Sequence, residues 1–143
     1  MSALYVSLAM AFAFCFGATA EASPTCTRED AIKAETEAAT LITWPAVFES
    51  YGHYRHCDGG AISEGYSNSV ATLLASRWDQ FEQLRELVTA HPKFEGFVLR
   101  HLDQTMTSDQ GKAIKENIRA KCPANGNALC KSIMKRFANL GFP

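Results

Sequence analysis

Val70-Ala71-Thr72-Leu73-Leu74-Ala75-Ser76-Arg77-Trp78-Asp79-Gln80-Phe81-Glu82-Gln83-Leu84-Arg85-Glu86-Leu87-Val88 is the stretch on which the fold turns. Val70, Leu74, Phe81, Leu84 and Val88 recur at spacings of 4, 7, 3 and 4, the stripe of a helix that presents one face to a core. Trp78 sits beside that stripe. The pattern predicts the longest element of the chain, from about Ile62 to Ala90, with a kink near Trp78-Asp79. His91-Pro92 ends it, because a residue before proline avoids helical geometry.

The same periodicity runs outward in both directions. Toward the N-terminus, Thr27 followed three residues later by Asp30 has the form of a capping box, with Asp in place of Glu. It opens a helix predicted over Arg28 to Ile42. Thr43-Trp44-Pro45 is a second helix start, with Thr as N-cap and proline in the first turn, running to about Tyr51. His53 to Gly60 reads as a loop. Toward the C-terminus, Phe94, Phe97, Val98, His101 and Leu102 mark another amphipathic helix. Ser108 is placed to cap the next, with Ala113, Ile114 and Ile118 as its stripe. The last helix spans Asn127 to Leu140, and Gly141 and Pro143 close it. No alternating strand pattern of useful length is present. The expected fold is all-α, an irregular or orthogonal bundle of about six helices in one domain, residues 23–143.

Residues 1–22 read as a secretory signal peptide. Leu4 to Phe16 is apolar and uncharged, and too short for a bilayer span of roughly 20 residues. Small residues at Ala18-Thr19-Ala20 and Ala20-Glu21-Ala22 fit signal-peptidase sites. The competing reading is a buried N-terminal helix. Phe14 before Cys15 argues against a lipoprotein signal. Export implies a periplasmic or secreted protein in an oxidising compartment, with no membrane span in the mature chain.

In that compartment Cys26, Cys57, Cys122 and Cys130 are expected to form two disulfides. Cys122 and Cys130 flank a turn-rich stretch between two helical patterns, so a bridge there pins a helix–helix corner. Four cysteines allow three pairings, which the sequence does not decide between; in this one the remaining pair, Cys26 with Cys57, would tie the mature N-terminus to the central loop.

Charge is balanced over the chain but uneven along it. Residues 23–110 hold 13 acids against 7 Lys or Arg, a net of −6; residues 111–143 hold 7 Lys or Arg against one Glu, a net of +6. The near-neutral total, and a basic segment without interleaved aromatics, argue against nucleic acid as a partner.

Four constellations contain residue types that do chemistry. His53, His56, Cys57 and Asp58 crowd one loop and offer metal-ligand types, with His101 as a further ligand. An oxidised Cys57 removes the thiolate from that set. Asp58 and Glu64 flank a glycine pair as two carboxylates, the tools of glycoside hydrolysis, but residues near a helix start more often serve as caps. Ser63, Ser67 and Ser69 with His101 and Asp103 supply the types of a nucleophilic triad. No Gly-x-Ser-x-Gly turn presents any of these serines, so no catalytic residue is assigned. Gly65, early in the helix that follows, permits close approach by another helix or another chain.

The fourth constellation is a mixed aromatic and polar patch around the His-rich loop, formed by Tyr54, Arg55, His56, Asp58, Glu64 and Tyr66. It offers area and hydrogen bonds without a nucleophile, which suits recognition of another protein. In size, leader and helical content the chain resembles the small, exported, disulfide-bearing helical proteins that bacteria use as periplasmic immunity proteins against secreted cell-wall-degrading toxins. The resemblance contains no motif and carries no functional residue. The expectation is a protein that binds another protein, as an immunity or inhibitor protein in its sharpest form, and needs no cofactor. A metal-binding protein and a hydrolase using Asp58 and Glu64 are the alternatives.

Overall fold

The computed structural model describes residues 24–141; the expected signal peptide lies outside them. Seven α-helices follow in order: α1 (Arg28–Ala38), α2 (Trp44–Tyr54), α3 (Gly60–Ser76), α4 (Phe81–Ala90), α5 (Pro92–Arg100), α6 (Ser108–Lys121) and α7 (Asn127–Leu140). Short 3-10 turns at Arg55–Cys57, Trp78–Gln80 and Ala124–Gly126 join several of them. No strand is present among the described residues. The fold is all-α, as the periodicity predicts, with both disulfides paired as expected: Cys26 with Cys57 and Cys122 with Cys130.

α3 is the central element. It packs against α1, α2 and α6, while α4 joins α2 to α5 and α7 closes on α5. Buried residues from all seven helices form one apolar cluster, with Trp44, Tyr66, Phe94, Phe97 and Phe137 as its largest side chains. Gly65 explains the closest crossing: a Cβ there would lie 3.0 Å from both Ala38 Cβ and the Ala39 backbone nitrogen. Beside it the Ser69 hydroxyl donates to the Ala38 carbonyl at 2.7 Å. The close approach expected of Gly65 is therefore made by α1. Among the described residues no helix is long and apolar enough to cross a membrane.

Helix starts follow local chemistry. The Thr27 hydroxyl accepts from the Asp30 backbone N–H at 3.1 Å and donates to the Asp30 carboxylate at 2.8 Å. Thr43 accepts from the Ala46 N–H, with Pro45 in the first turn. α6 is capped one residue earlier than expected. Thr107 and Gln110 form a full capping box, and only Thr107 has the glutamine three residues on that the box requires.

Three boundaries differ from the periodicity. α1 stops at Ala38 rather than Ile42, because Thr40 turns back to bond the Glu37 carbonyl through its N–H and its hydroxyl, at 2.8 and 2.9 Å. Ile42 is left 69 % exposed in the connector, so its apolar character reports no helix face. The single helix predicted over Ile62–Ala90 is two helices. The Asn117 amide of α6 donates to the carbonyls of Leu74 and Ala75 at 3.1 and 3.0 Å, which satisfies the end of α3. Arg77 then leaves helical geometry, and Trp78 stacks on Phe81 at 4.3 Å with its indole N–H aimed at the Lys121 carbonyl. Last, the expected loop His53–Gly60 is largely helical. His53 and Tyr54 finish α2, Arg55–Cys57 form a 3-10 turn, and Gly60 enters α3 at φ 55°, a value that favours glycine.

Candidate functional site

α5 places Phe94, Phe97 and His101 on one side at successive turns. The His101 ring packs against both Tyr66 and Phe97, at ring-centroid distances of 5.5 and 4.4 Å, and the residue is 2 % exposed. Its two nitrogens have different partners. Nε2 is 3.2 Å from Asp58 Oδ2, and Nδ1 is 3.1 Å from Ser67 Oγ. Ser67 Oγ also lies 2.7 Å from Asp103 Oδ2, and Asp103 Oδ1 accepts from the backbone N–H and the hydroxyl of Thr105. Arg100 reaches Asp58 Oδ2 from the exposed side at 3.4 Å. The result is a chain of contacts, Arg100–Asp58–His101–Ser67–Asp103, joining the corner before α3, the middle of α3 and the end of α5.

Ser67 has one proton and faces two acceptors. If it donates to Asp103, Nδ1 must donate to Ser67 while Nε2 faces a carboxylate. A ring carrying both protons fills all three contacts, and a neutral ring leaves one of them without a proton. The chain contains serine, histidine and aspartate in the connectivity of a nucleophilic triad, yet it is sealed: Ser67 is 1 % exposed. Its hydroxyl has the Asp103 carboxylate as a competing acceptor. This geometry clamps three segments together and presents no nucleophile to a substrate.

The electrostatics of the clamp set a pH dependence. Burial pushes the Asp58 carboxyl up, but the hydrogen bond and charge of His101, with Arg100 behind them, outweigh it and hold Asp58 below the ordinary carboxylate range. Burial likewise opposes, and the bonds from Thr105 and Ser67 outweigh, at Asp103, which is also held low. Depressed carboxyl values in the folded state mean stability that is complete above the unfolded value, about pH 4. That contribution drains away as pH falls through the lower folded values. Urea unfolding measured from neutral pH down to about pH 2 should therefore show stability falling below about pH 4. The Asp58→Asn, Asp103→Asn double variant should be less stable at neutral pH and should lose much of that slope. An unchanged acid limb in the double variant would rule out the clamp as its source.

A second buried chain runs beside the first. Ser50 Oγ donates to Glu37 Oε1 at 2.8 Å and lies 2.8 Å from the Tyr66 hydroxyl. Tyr66 is fully buried, and burial pushes its phenol up.

The expected surface patch is thus corrected at two of its six residues. Tyr66 belongs to the core because α3 turns it toward Phe97, and Asp58 faces inward to His101. His56 is half-buried against Asp30, with Nε2 at 3.5 Å from Oδ2. Tyr54 is half-buried, while Arg55 and Glu64 are exposed. Asp58 and Glu64 do not act as a pair, since one is bound into the clamp and the other stands in solvent. For the metal reading, Cys57 is held in its disulfide, and among the described residues no group of three or more His, Cys, Asp or Glu is arranged to hold an ion.

Periodicity did not point to the groove between α2 and α5. Phe48, Tyr51, Gly52 and Arg55 line one side, and Ala90, His91, Pro92, Lys93 and Phe94 the other, around a volume of about 400 Å³. Phe48 lies 4.5 Å from the His91 ring and 5.1 Å from Phe94, and Tyr51 lies 5.3 Å from Phe94. The Arg55 guanidinium sits over Tyr51 at 5.6 Å and donates to the Gly52 carbonyl at 2.8 Å. A helical stripe alone does not say whether a neighbouring helix covers it fully, and Phe48 and Tyr51 are left half-buried. Comparison of the chain with protein-family models, with curated proteins and with solved structures finds no match.

Proposed function

We propose that this protein is exported to the periplasm or beyond and acts by binding another protein, as an immunity or inhibitor protein in the sharpest form of the reading. What supports binding over catalysis is one contrast. The acid–base groups Asp58, Ser67 and His101 are sealed inside, whereas the recognition groups His53, Tyr54 and Arg55 stand at the end of α2. That corner is braced, since Cys57 follows it directly and is bridged to Cys26. A braced corner loses little conformational freedom on docking, so more of its contact energy appears as affinity. The partner-facing residues of this reading are Tyr54 and Arg55, with His53 beside them. The two disulfides and the apolar leader support export.

The test has two arms. The full chain is expressed with its leader, and the mature mass and free-thiol content are measured; loss of the first 20 or 22 residues with every remaining cysteine oxidised is the expected result. Wild type and the His53→Ala, Tyr54→Ala variant are then compared for capture of envelope proteins and for inhibition of the captured enzyme. The variant should lose about ten-fold or more in affinity, as expected for an aromatic anchor near an interface centre. Equal capture and equal inhibition by both proteins removes the corner from the reading.

A further inference from the structure

We propose that the groove between α2 and α5 is a binding site for a small carboxylate with an aromatic or branched apolar body. This goes beyond recognition of a protein at the corner, and it rests on the walls, the size and the charges of the groove.

The walls are rings. Phe48 and Tyr51, half-buried by the fold itself, and the exposed His91 line the space, with the fully buried Phe94 packed behind them. Incompletely covered rings of this kind gain by covering an apolar guest. The volume, about 400 Å³, lies within the range of small-ligand sites, roughly 300–1,000 Å³.

The charges at the rim are of one sign. Arg55 comes from the 3-10 turn that follows α2 and Lys93 from the first turn of α5, and among the described residues no Asp or Glu lines the groove. Neither cation has an ion-pair partner among the described residues. Arg55 spends one N–H on the Gly52 carbonyl and keeps the rest of its fork for a guest. An apolar body with one anionic end satisfies the rings and both cations together.

The surroundings argue for a single charge rather than many. Residues 23–110, which include the whole groove, have a net charge of −6. Glu86 lines a neighbouring hollow with Pro45, Gln83, Leu87 and Ala90. An acidic peptide would meet that field along its length. A lone carboxylate presents its one charge to a groove whose lining includes Arg55 and Lys93, and exposed charges farther off than about 8 Å are screened at physiological salt.

Gly52 supplies the means of testing this. It lines the groove, and a Cβ built on it meets nothing within 4 Å, so a side chain added there enters the open space without disturbing the helix. Hydrocinnamate is titrated into the full mature protein and followed by amide NMR. Hydrocinnamyl alcohol and hydrocinnamylamine serve as controls with the same body. The expected result is saturable shifts centred on Tyr51, Gly52, Lys93 and Phe94, with a Kd of about 1 mM or tighter. The alcohol and the amine should bind about ten-fold more weakly or worse, as should hydrocinnamate on Lys93→Glu, where an attraction becomes a repulsion. Gly52→Leu should abolish the shifts while thermal unfolding stays intact; if that variant fails to fold, Lys93→Glu decides.

No saturable shift up to about 10 mM acid overturns the proposal, as does an alcohol that binds as tightly as the acid. Tyr54→Ala should leave the titration unchanged. Failure of the titration therefore leaves the protein-binding corner standing, and failure of the corner leaves this site standing.

Discussion

Replacing His101 with leucine should lower the unfolding free energy by about 3–5 kcal/mol, measured by urea denaturation at neutral pH. Leucine fits the apolar surroundings that Tyr66 and Phe97 provide, so little of the loss comes from packing. The loss comes from what stays behind. Among the described residues Asp58, with its side chain 9 % exposed, keeps only Arg100 at 3.4 Å, and that partner is 62 % exposed. Asp58 Oδ1 is already buried without a hydrogen-bond partner among the described residues, so the carboxylate has no reserve of contacts there. Ser67 loses its contact with Nδ1 at the same time. Removing one member of a buried pair costs far more than removing both, because the orphaned charge bears its full desolvation penalty. The Asp58→Leu, His101→Leu double variant should therefore recover much of the loss. A single-variant cost below about 1 kcal/mol would show that the histidine contributes no clamp.

Converting Cys26 and Cys57 to serine together should cost about 3–4 kcal/mol in the chain-entropy account, because the bridge closes a loop with a sequence separation of 31. Loss of the Cys122–Cys130 bridge, at a separation of 8, should cost about 1 kcal/mol less. The long bridge also has a local duty. It ties the segment before α1 to the corner before α3, where Asp58 enters the clamp and His56 meets Asp30. Amide exchange at Asp58, Gly59 and Gly60 should therefore quicken in the double serine variant, while α6 and α7 keep their protection. Denaturant midpoints and exchange rates of the two bridge variants provide the comparison. A larger loss from the short bridge would contradict the ordering.

Some features were legible because their causes lie within a few residues of one another. Thr27 with Asp30 and Thr43 with Pro45 mark helix starts through contacts made inside one turn. Asn127–Leu140 was read with its observed ends, since a turn-rich stretch precedes it and Gly141, at φ 70°, follows it. The favoured pairing was legible only in part: Cys122 and Cys130 flank a short turn, and the structure settled that Cys26 takes Cys57 among the three pairings four cysteines allow. Where local signals competed, the reading slipped. Leu41 and Ile42 extended a stripe that Thr40 had already ended, and Ser108 took a cap that the Thr107–Gln110 pair owns.

The sequence by itself thus determined an all-helical chain, its main helix starts and the four cysteines that form its bridges. The helix starts follow from side chains that meet their own backbone neighbours, and the Cys122–Cys130 bridge crosses one connecting turn, whereas Cys26 and Cys57 are 31 residues apart and were brought together by the packing of α1 and α2. Tertiary structure alone decided the rest. It divided the long helix at Arg77, where the Trp78 indole found a carbonyl 43 residues away. It drew Ser67 and Asp58 to His101 from 34 and 43 residues off, and turned Tyr66 inward. It left the Phe48 and Tyr51 rings of α2 half-covered beside an open groove. The physical reason is the same each time: a helical stripe says which side of a helix faces the core, but the angle at which two helices cross decides which side chains meet and which stay open to a guest.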